Sequence, residues 1–343
     1  MGIRNKRKKV DLQTGAITAR TKYRYDAAIE RFGYFLSMLG LGVTFAIFAA
    51  SDLAKNPFDV DHIVATYLQF LYDNDFPRHF GRDLLTVLPK RLLHVRRHLS
   101  ASWGAMNTWE RMEPPRRAEP IGPAHVVLLM YHVLALASFR FQDYIDLVSL
   151  AVCFGLMFHC MLRPSEAMGI QRSDIVFNSD SASICLNHSK TTSRKNAREF
   201  VSVEDPLIFL VLRLYCEAFD AVGRPDNGFL FCFEFGDFAE LLQAACIATG
   251  LAILGLQPYS FRRGGATFDF EIFRSFDRLC ERGRWLHARN ARIYVEDAVA
   301  ARARQLLEAQ TRTAISDARL AMTYFLLHKV GNDGKKSLIL STL

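Results

Sequence analysis

Two arginines and one tyrosine, far apart along the chain, have the types and local settings that phosphoryl chemistry requires. Arg163 follows an apolar run and precedes Glu166 by three residues, in Leu162-Arg163-Pro164-Ser165-Glu166. About a hundred residues later comes Pro258-Tyr259-Ser260-Phe261-Arg262-Arg263-Gly264-Gly265-Ala266-Thr267. Gly283-Arg284-Trp285 follows, and Tyr294 stands nine residues past Trp285 in Ala291-Arg292-Ile293-Tyr294. An arginine fork pairs two phosphate oxygens and keeps its charge at any working pH. A tyrosine, with an ordinary pKa near 10, attacks well only where cations and hydrogen bonds stabilise its phenolate. Metal-free cleavage of a phosphodiester needs such a nucleophile, such cations, a proton donor for the leaving sugar oxygen, and control of the nucleophile's own proton. Taken singly, each residue has a plainer reading. Arg163 and Glu166 make a helix-end pair, Arg262 is a surface arginine beside Arg263, and any one of the 11 tyrosines is a packed aromatic.

Together, in this order and at these spacings, the residues resemble the tyrosine recombinases, the phage-integrase family. Leu162-Arg163-Pro164-Ser165-Glu166-Ala167-Met168-Gly169-Ile170 looks like that family's first arginine box, with its carboxylate three residues on. A hairpin lysine follows in the family, and Ser189-Lys190-Thr191 lies in the matching β-like region, with Lys195 as the alternative. The second box, His-x-x-Arg followed by small residues, corresponds to Tyr259 through Thr267, with Tyr259 in the place of the His. A His or Trp nine residues before the nucleophile matches Trp285 and Tyr294. The resemblance covers about residues 120 to 300. The wording around Trp285 and Tyr294 is most similar to recombinases of some eukaryotic mobile elements.

The resemblance implies roles. Arg163 and Arg262 would clamp the scissile phosphate, with Glu166 supporting Arg163. Tyr294 would attack, leaving a 3′-phosphotyrosyl link and a free 5′-hydroxyl. Lys190 would protonate the departing oxygen, and Trp285 would pack by the phosphate and offer its indole N–H. The covalent link keeps the phosphodiester energy, so neither metal, ATP nor another cofactor is implied. The implied activity is site-specific recombination or integration of duplex DNA, clamped between two domains, by a homo-oligomer that assembles a tetrameric synapse. Tyr259 departs from the pattern: a phenol donates a hydrogen bond to phosphate but is a poor acid or base at neutral pH. That departure keeps open a recombinase-derived DNA-binding protein without catalysis. A type IB-like topoisomerase shares the covalent chemistry. An unrelated helical protein whose basic face meets RNA or acidic lipid is a further reading.

The elements that must position these residues are mainly helical. Apolar spacing predicts helices from Thr21 to Leu39, Asp61 to Tyr72, and Arg82 to Ser100. In the third, Leu88, Leu92, Val95 and Leu99 share one stripe at helical period, with Lys90, Arg91, His94, Arg97 and His98 opposite. That basic ridge, Lys90, Arg91, His94 and Arg97, is the predicted DNA-following face, with a solvated basic face as the plainer reading. Met112 to Pro123 carries Pro114, Pro115, Pro120 and Pro123, a density that breaks helices and stiffens a connector. Beyond it, helices are predicted at His125–Phe139, Asp143–Leu162, Pro206–Ala221, Asp237–Thr249, Phe261–Cys280, from Tyr294 to about Gln310, and Ile315–Lys329. Three β-like runs, Asp174–Phe177, Ser183–Leu186 and Phe200–Val203, predict a small antiparallel sheet. The expected fold class is therefore α+β, mainly α. Residues 1–20 form a basic arm, 21–111 a helical domain resembling the family's core-binding domain, 112–123 a linker, 124–330 the catalytic domain and 331–343 a C-terminal tail; the resemblance implies that the segment after Tyr294 docks on a neighbouring protomer.

Composition agrees with a polyanionic partner. The 343 residues are half hydrophobic, enough for substantial cores, and carry a net charge of +8 with a pI of about 9.2. Residues 1–24 alone hold eight basic side chains against one acid, Asp11, which suits a phosphate-lying arm or a nuclear import signal. The seven cysteines form no CxxC pair and several sit in apolar runs, so a disulfide framework or zinc site is not expected. The apolar runs Tyr34–Ala50 and Leu147–Leu162 are too short and too interrupted to span a membrane, and are expected as buried helices. The expected location is the nucleus or another DNA-containing compartment.

Overall fold

The computed structural model describes residues 18–42, 44–114, 118–139, 144–187, 198–225, 227–231, 233–295 and 307–330. The chain divides into two compact units, Met1–Arg116 and Arg117–Leu343. Both are helical, and the second carries a small antiparallel sheet, as the periodicities predict.

The first unit contains α1 (Ala19–Met38), α2 (Phe45–Ala50), α3 (Asp52–Lys55), α4 (Pro57–Asp73), α5 (His79–Arg91) and α6 (Ser100–Met112). Their starts follow local capping chemistry. The side chains of Thr18, Thr44, Ser51 and Asn56 accept from backbone N–H groups in the first turns of α1 to α4, and Pro57 enters α4 where no N–H is needed. The start of α6 is capped from a distance. The buried Asp61 of α4 accepts from the N–H groups of Ala101 and Ser102, both at 2.9 Å, and from the Ser102 hydroxyl. Phe32, Phe35, Tyr67, Leu84, Leu88 and Met106 fill the interior.

The predicted single helix from Arg82 to Ser100 is two pieces. Pro89 removes a backbone donor near the end of α5, and Leu92 is extended (φ −122°, ψ 91°). A short 3-10 turn, Leu93–Val95, leads on to α6. Leu88, Leu92, Val95 and Leu99 are all buried nonetheless, because the chain turns them into the same interior. Lys90, Arg91, His94 and Arg97 all remain exposed, but not as the ridge of one helix. The Lys90 ammonium lies 4.7 Å over the Tyr25 ring, Arg91 pairs with Asp26 at 2.9 Å, and His94 Nε2 lies 2.7 Å from the Ala54 carbonyl.

In the second unit α7 (Pro123–Phe139) and α8 (Tyr144–His159) form the central pair. Val148 to Phe158 of α8 is buried without a break, the fate expected of an apolar run inside a core, and no described helix is long and apolar enough to cross a membrane. The short α9 (Pro164–Ala167) leads to β1 (Ile175–Phe177), β2 (Ala182–Leu186) and β3 (Glu199–Val203), paired antiparallel in that order. Ile175 faces Ile184, and Leu186 faces Glu199. Ala182, Ile184, Leu186, Val201 and Val203 point into the core, while Val176 and Phe200 point out, the alternation of a sheet with one wet face. Then follow α10 (Pro206–Ala221), α11 (Phe235–Ala248), α12 (Pro258–Phe273), α13 (Phe276–Gly283), α14 (Ala288–Arg292) and α15 (Ala309–Val330).

The predicted helix Phe261–Cys280 is also two elements. Arg274 takes a left-handed conformation (φ 51°) that ends α12, and the Ser275 side chain caps α13. Helix α12 lies hard against α8. An ideal Cβ on Gly265 would stand 2.0 Å from the Phe158 carbonyl oxygen, so only glycine permits this approach. Phe261 stacks on Phe154 of α8, with centroids 5.2 Å apart and planes 9° from parallel. The position next to it, 262, is fixed by that packing.

Candidate active site

The site is assembled at the C-terminal end of α8. After His159 the chain turns through Met161 in the left-handed region (φ 48°), an uncommon setting for a side-chain-bearing residue. Two residues on, Arg163 is the extended N-cap of α9, with Pro164 at the first helical position. Glu166 accepts both bonds of the pair: its Oε2 from the Arg163 backbone N–H at 2.9 Å, and its Oε1 from the Arg163 guanidinium. The Glu166 side chain is wholly buried, whereas that of Arg163 is 20% exposed.

Arg262 comes to the same carboxylate from α12. Its Nη1 lies 3.8 Å from Glu166 Oε2. The side chain is fully buried, and its two terminal nitrogens donate to the carbonyls of Met161 and, at 2.7 Å, Gly283. Trp285 and Tyr294 cover it: the guanidinium carbon lies 4.5 Å from the indole and 5.7 Å from the phenol ring centroid. The two rings are 4.9 Å apart and tilted by 43°. Gly283 makes room for the indole, since an ideal Cβ there would lie 1.7 Å from Trp285 Cζ3. Tyr294 is half-buried beside Met161, Ala266, Leu279, Trp285 and Ala291, and its carbonyl accepts from the Thr267 hydroxyl at 3.0 Å.

A third guanidinium completes the cluster. Arg284, in the left-handed region (φ 58°), is 6% exposed in its side chain. Its Nη2 donates to Glu166 Oε2 at 2.7 Å, and its Nη1 to the Cys160 carbonyl at 3.1 Å. Burial by itself would raise the Glu166 carboxyl. Arg284, the Arg163 backbone N–H, and the Arg163 and Arg262 charges outweigh burial and hold it below the usual carboxylate range. Burial first, then the Arg163 and Arg284 charges, push Arg262 well below its ordinary value against the opposing pull of Glu166 and Tyr294. Arg262 remains a cation at neutral pH. The cluster therefore holds three buried or nearly buried cations around one carboxylate, with Glu199 Oε2 3.8 Å from Arg284 Nε as the next acid. A second ion pair, Arg282 on the buried Asp269, ties α13 to α12, and Arg282 also donates to the His159 carbonyl at 3.2 Å.

Arg163, Glu166, Arg262, Trp285 and Tyr294, spread over 132 positions of sequence, thus meet in one cluster. Tyr259 lies one helical turn before Arg262 on α12 and is 45% exposed, on the surface rather than in the buried network. Lys190 and Lys195 lie outside the described residues. Lys90, Arg91, His94 and Arg97 belong to the first unit. Arg284 stands in the Gly283-Arg284-Trp285 segment, where the motif implies no part for it. Its neighbour Trp285 was the one available signal, because a left-handed turn at a non-glycine leaves no mark in composition. Among the described residues no group of histidine, cysteine and acidic side chains could hold a metal ion.

No protein-family model matches the chain, and no curated protein matches it. Solved structures do. A XerH site-specific recombinase bound to palindromic difH substrate, in a post-cleavage complex, aligns at a TM-score of 0.54 and 10% identity, over 84% of this chain and 79% of that one. The fold is that of the tyrosine recombinases. Two further tyrosine recombinase structures align at lower scores. The same XerH recombinase in a pre-cleavage complex with difH gives 0.45 at 10% identity, over 82% and 96% of the two chains. A XerA recombinase gives 0.42 at 11%, over 85% and 92%. In this tyrosine recombinase fold, the two arginine boxes and the Trp–Tyr pair lie on α9, α12 and the segment that flanks α14.

Proposed function

We propose that this chain is a site-specific DNA recombinase or integrase that cuts and rejoins duplex DNA through a 3′-phosphotyrosyl intermediate. The observation that carries the reading is the excess of buried positive charge, Arg163, Arg262 and Arg284 around Glu166, roofed by the Trp285 and Tyr294 rings. Such a cluster is incomplete without an anion, and a nucleophile of the right kind borders it. In the proposed reaction the Tyr294 oxygen forms a bond to phosphorus as the bond to O5′ breaks. The phenol's proton passes to water, and Lys190 supplies one to the departing O5′. Arg163, the more exposed fork, meets the phosphate first. Arg262 acts through its charge, or trades its bond to the Met161 or Gly283 carbonyl for one to a phosphate oxygen. Guanidinium groups neutralise the phosphate and the covalent link conserves its energy, so the reaction calls for neither metal nor ATP. The basic residues Lys90, Arg91, His94 and Arg97 contribute contacts to the DNA backbone, and the working form is a homo-oligomer on DNA, the product of a mobile element acting in a DNA-containing compartment.

A library of nicked duplexes of randomised sequence, captured as denaturation-resistant adducts, tests the reading. The parent chain is expected to yield adducts and Tyr294→Phe none, with DNA binding retained. An adduct from the Phe variant removes Tyr294 as nucleophile. A second reading, a DNA-binding protein without catalysis, is favoured by Tyr259 in the place of His and by the internal bonding of Arg262. It predicts salt-sensitive duplex binding with no adduct from the parent. Exchange of strands between two marked duplexes separates a recombinase from a topoisomerase of the same chemistry.

A further inference from the structure

Arg284 is held in a conformation that suits glycine, yet its side chain is among the most connected in the molecule. Its backbone (φ 58°, ψ 41°) is left-handed, which costs any residue with a Cβ. Glycine at this C-cap would be the undemanding choice. The arginine reaches instead across 118 residues of sequence to Glu166 Oε2 at 2.7 Å, and to the carbonyls of Cys160 at 3.1 Å and Met161 at 3.4 Å.

Two of those acceptors also hold the clamp arginines. Glu166 binds the Arg163 guanidinium, and the Met161 carbonyl binds that of Arg262. Arg284 therefore touches the support of each fork. It also makes the largest favourable contribution to keeping Glu166 ionised. Without it, the carboxylate would face only Arg163 closely, and the strained Met161 turn would lose one of its two guanidinium donors.

We infer that Arg284 is a positioning residue that ties Arg163 to Arg262 through Glu166 and the Met161 carbonyl, and so sets the spacing of the two forks that receive the phosphate. The inference rests on the recombinase reading for its consequence in catalysis, but the tie itself is a statement about the protein alone.

The test uses the full chain and the duplex selected in the adduct experiment. Arg284→Gly relieves the backbone and removes the side chain, so a loss of rate cannot be laid to backbone strain. Its single-turnover adduct formation should fall on the order of 10- to 100-fold, the effect typical of groups that orient a site from behind, while duplex affinity stays near that of the parent. Glu166 then titrates higher, so the acid limb of the rate profile moves toward neutral pH. Free guanidinium chloride at low concentration should restore part of the rate, and Arg284→Lys should fall between parent and Gly variant. A Gly variant with the parent's rate and pH profile overturns the role. So does a slow variant whose profile is unmoved and which guanidinium does not rescue. If the parent itself forms no adduct, the recombinase reading fails, and a double-mutant cycle of Arg284→Gly with Glu166→Gln in urea unfolding decides the tie. Additive losses remove it; non-additive losses retain it.

Discussion

Replacing Glu166 by glutamine takes away the one carboxylate among three guanidinium groups and keeps the side chain's volume. Glu166 is fully buried, Arg284 is 6% and Arg163 20% exposed in their side chains, and Arg262 is not exposed at all. Removing one partner of a buried ion pair costs about 3–5 kcal/mol, because the charge left behind is uncompensated. Arg163 has a route to water and Glu199 stands 3.8 Å from Arg284, so the lower end, about 3 kcal/mol, is the expected loss. That is roughly a 150-fold change in the folding equilibrium. Hydrogen exchange of peptides from α8 and α12 across a urea series follows the second unit by itself. The pH dependence gives the sign. Glu166 has a folded pKa below its unfolded value, so its stabilisation is present above the unfolded pKa and disappears as pH falls through the folded one. The gap between parent and Glu166→Gln should be constant from neutral pH down to about 5 and close below the ordinary glutamate range near 4. A loss below about 0.5 kcal/mol at pH 7, or a gap that widens in acid, would show that the three arginines do not depend on this carboxylate.

Three further outcomes are expected, the first two from contacts described above. Gly265→Ala drives a methyl to within 2.0 Å of the Phe158 carbonyl, so α12 must shift off α8, with a stability loss of about 3 kcal/mol or more by urea unfolding. Asp61→Ala strips two backbone donors and a hydroxyl of their acceptor at the start of α6 and should cost about 2–3 kcal/mol in the first unit, with helix content reduced by circular dichroism. Deleting the residues beyond Gly331 should leave adduct formation intact and weaken cooperative assembly on DNA by mobility shift; unchanged assembly would remove the tail from the interface.

What could be read before the structure was local. The Arg163–Glu166 spacing is a helix-start pair, with the Glu166 carboxylate on the Arg163 backbone N–H, as well as a chemical motif, so one short segment carried both signals. The boundaries of α7, α10 and the three strands followed apolar period and flanking Pro or Asp. The break after α5 was hidden because Leu88, Leu92, Val95 and Leu99 keep helical period while the chain is turning, and a buried stripe looks alike in either case. Pro89 was the overlooked sign. Ser275, a ready N-cap, was the corresponding sign for the split of α12 from α13. The depth of Arg262 was not legible, since neighbours distant in sequence, Met161, Gly283 and Trp285, create it. Nor was the reach of Arg284, which depends on a left-handed turn that no glycine announces.

The stacking of Phe261 on Phe154, with Phe238 6.2 Å from Phe261, has an evolutionary corollary. The residue that aims the charge is the immediate neighbour of one that fills the oily centre, so the two cannot drift separately. A lineage that repacks these rings also swivels the guanidinium beside them. Divergence in this protein should therefore gather in the outer faces of its helices, with the three rings and the arginine inherited as one block.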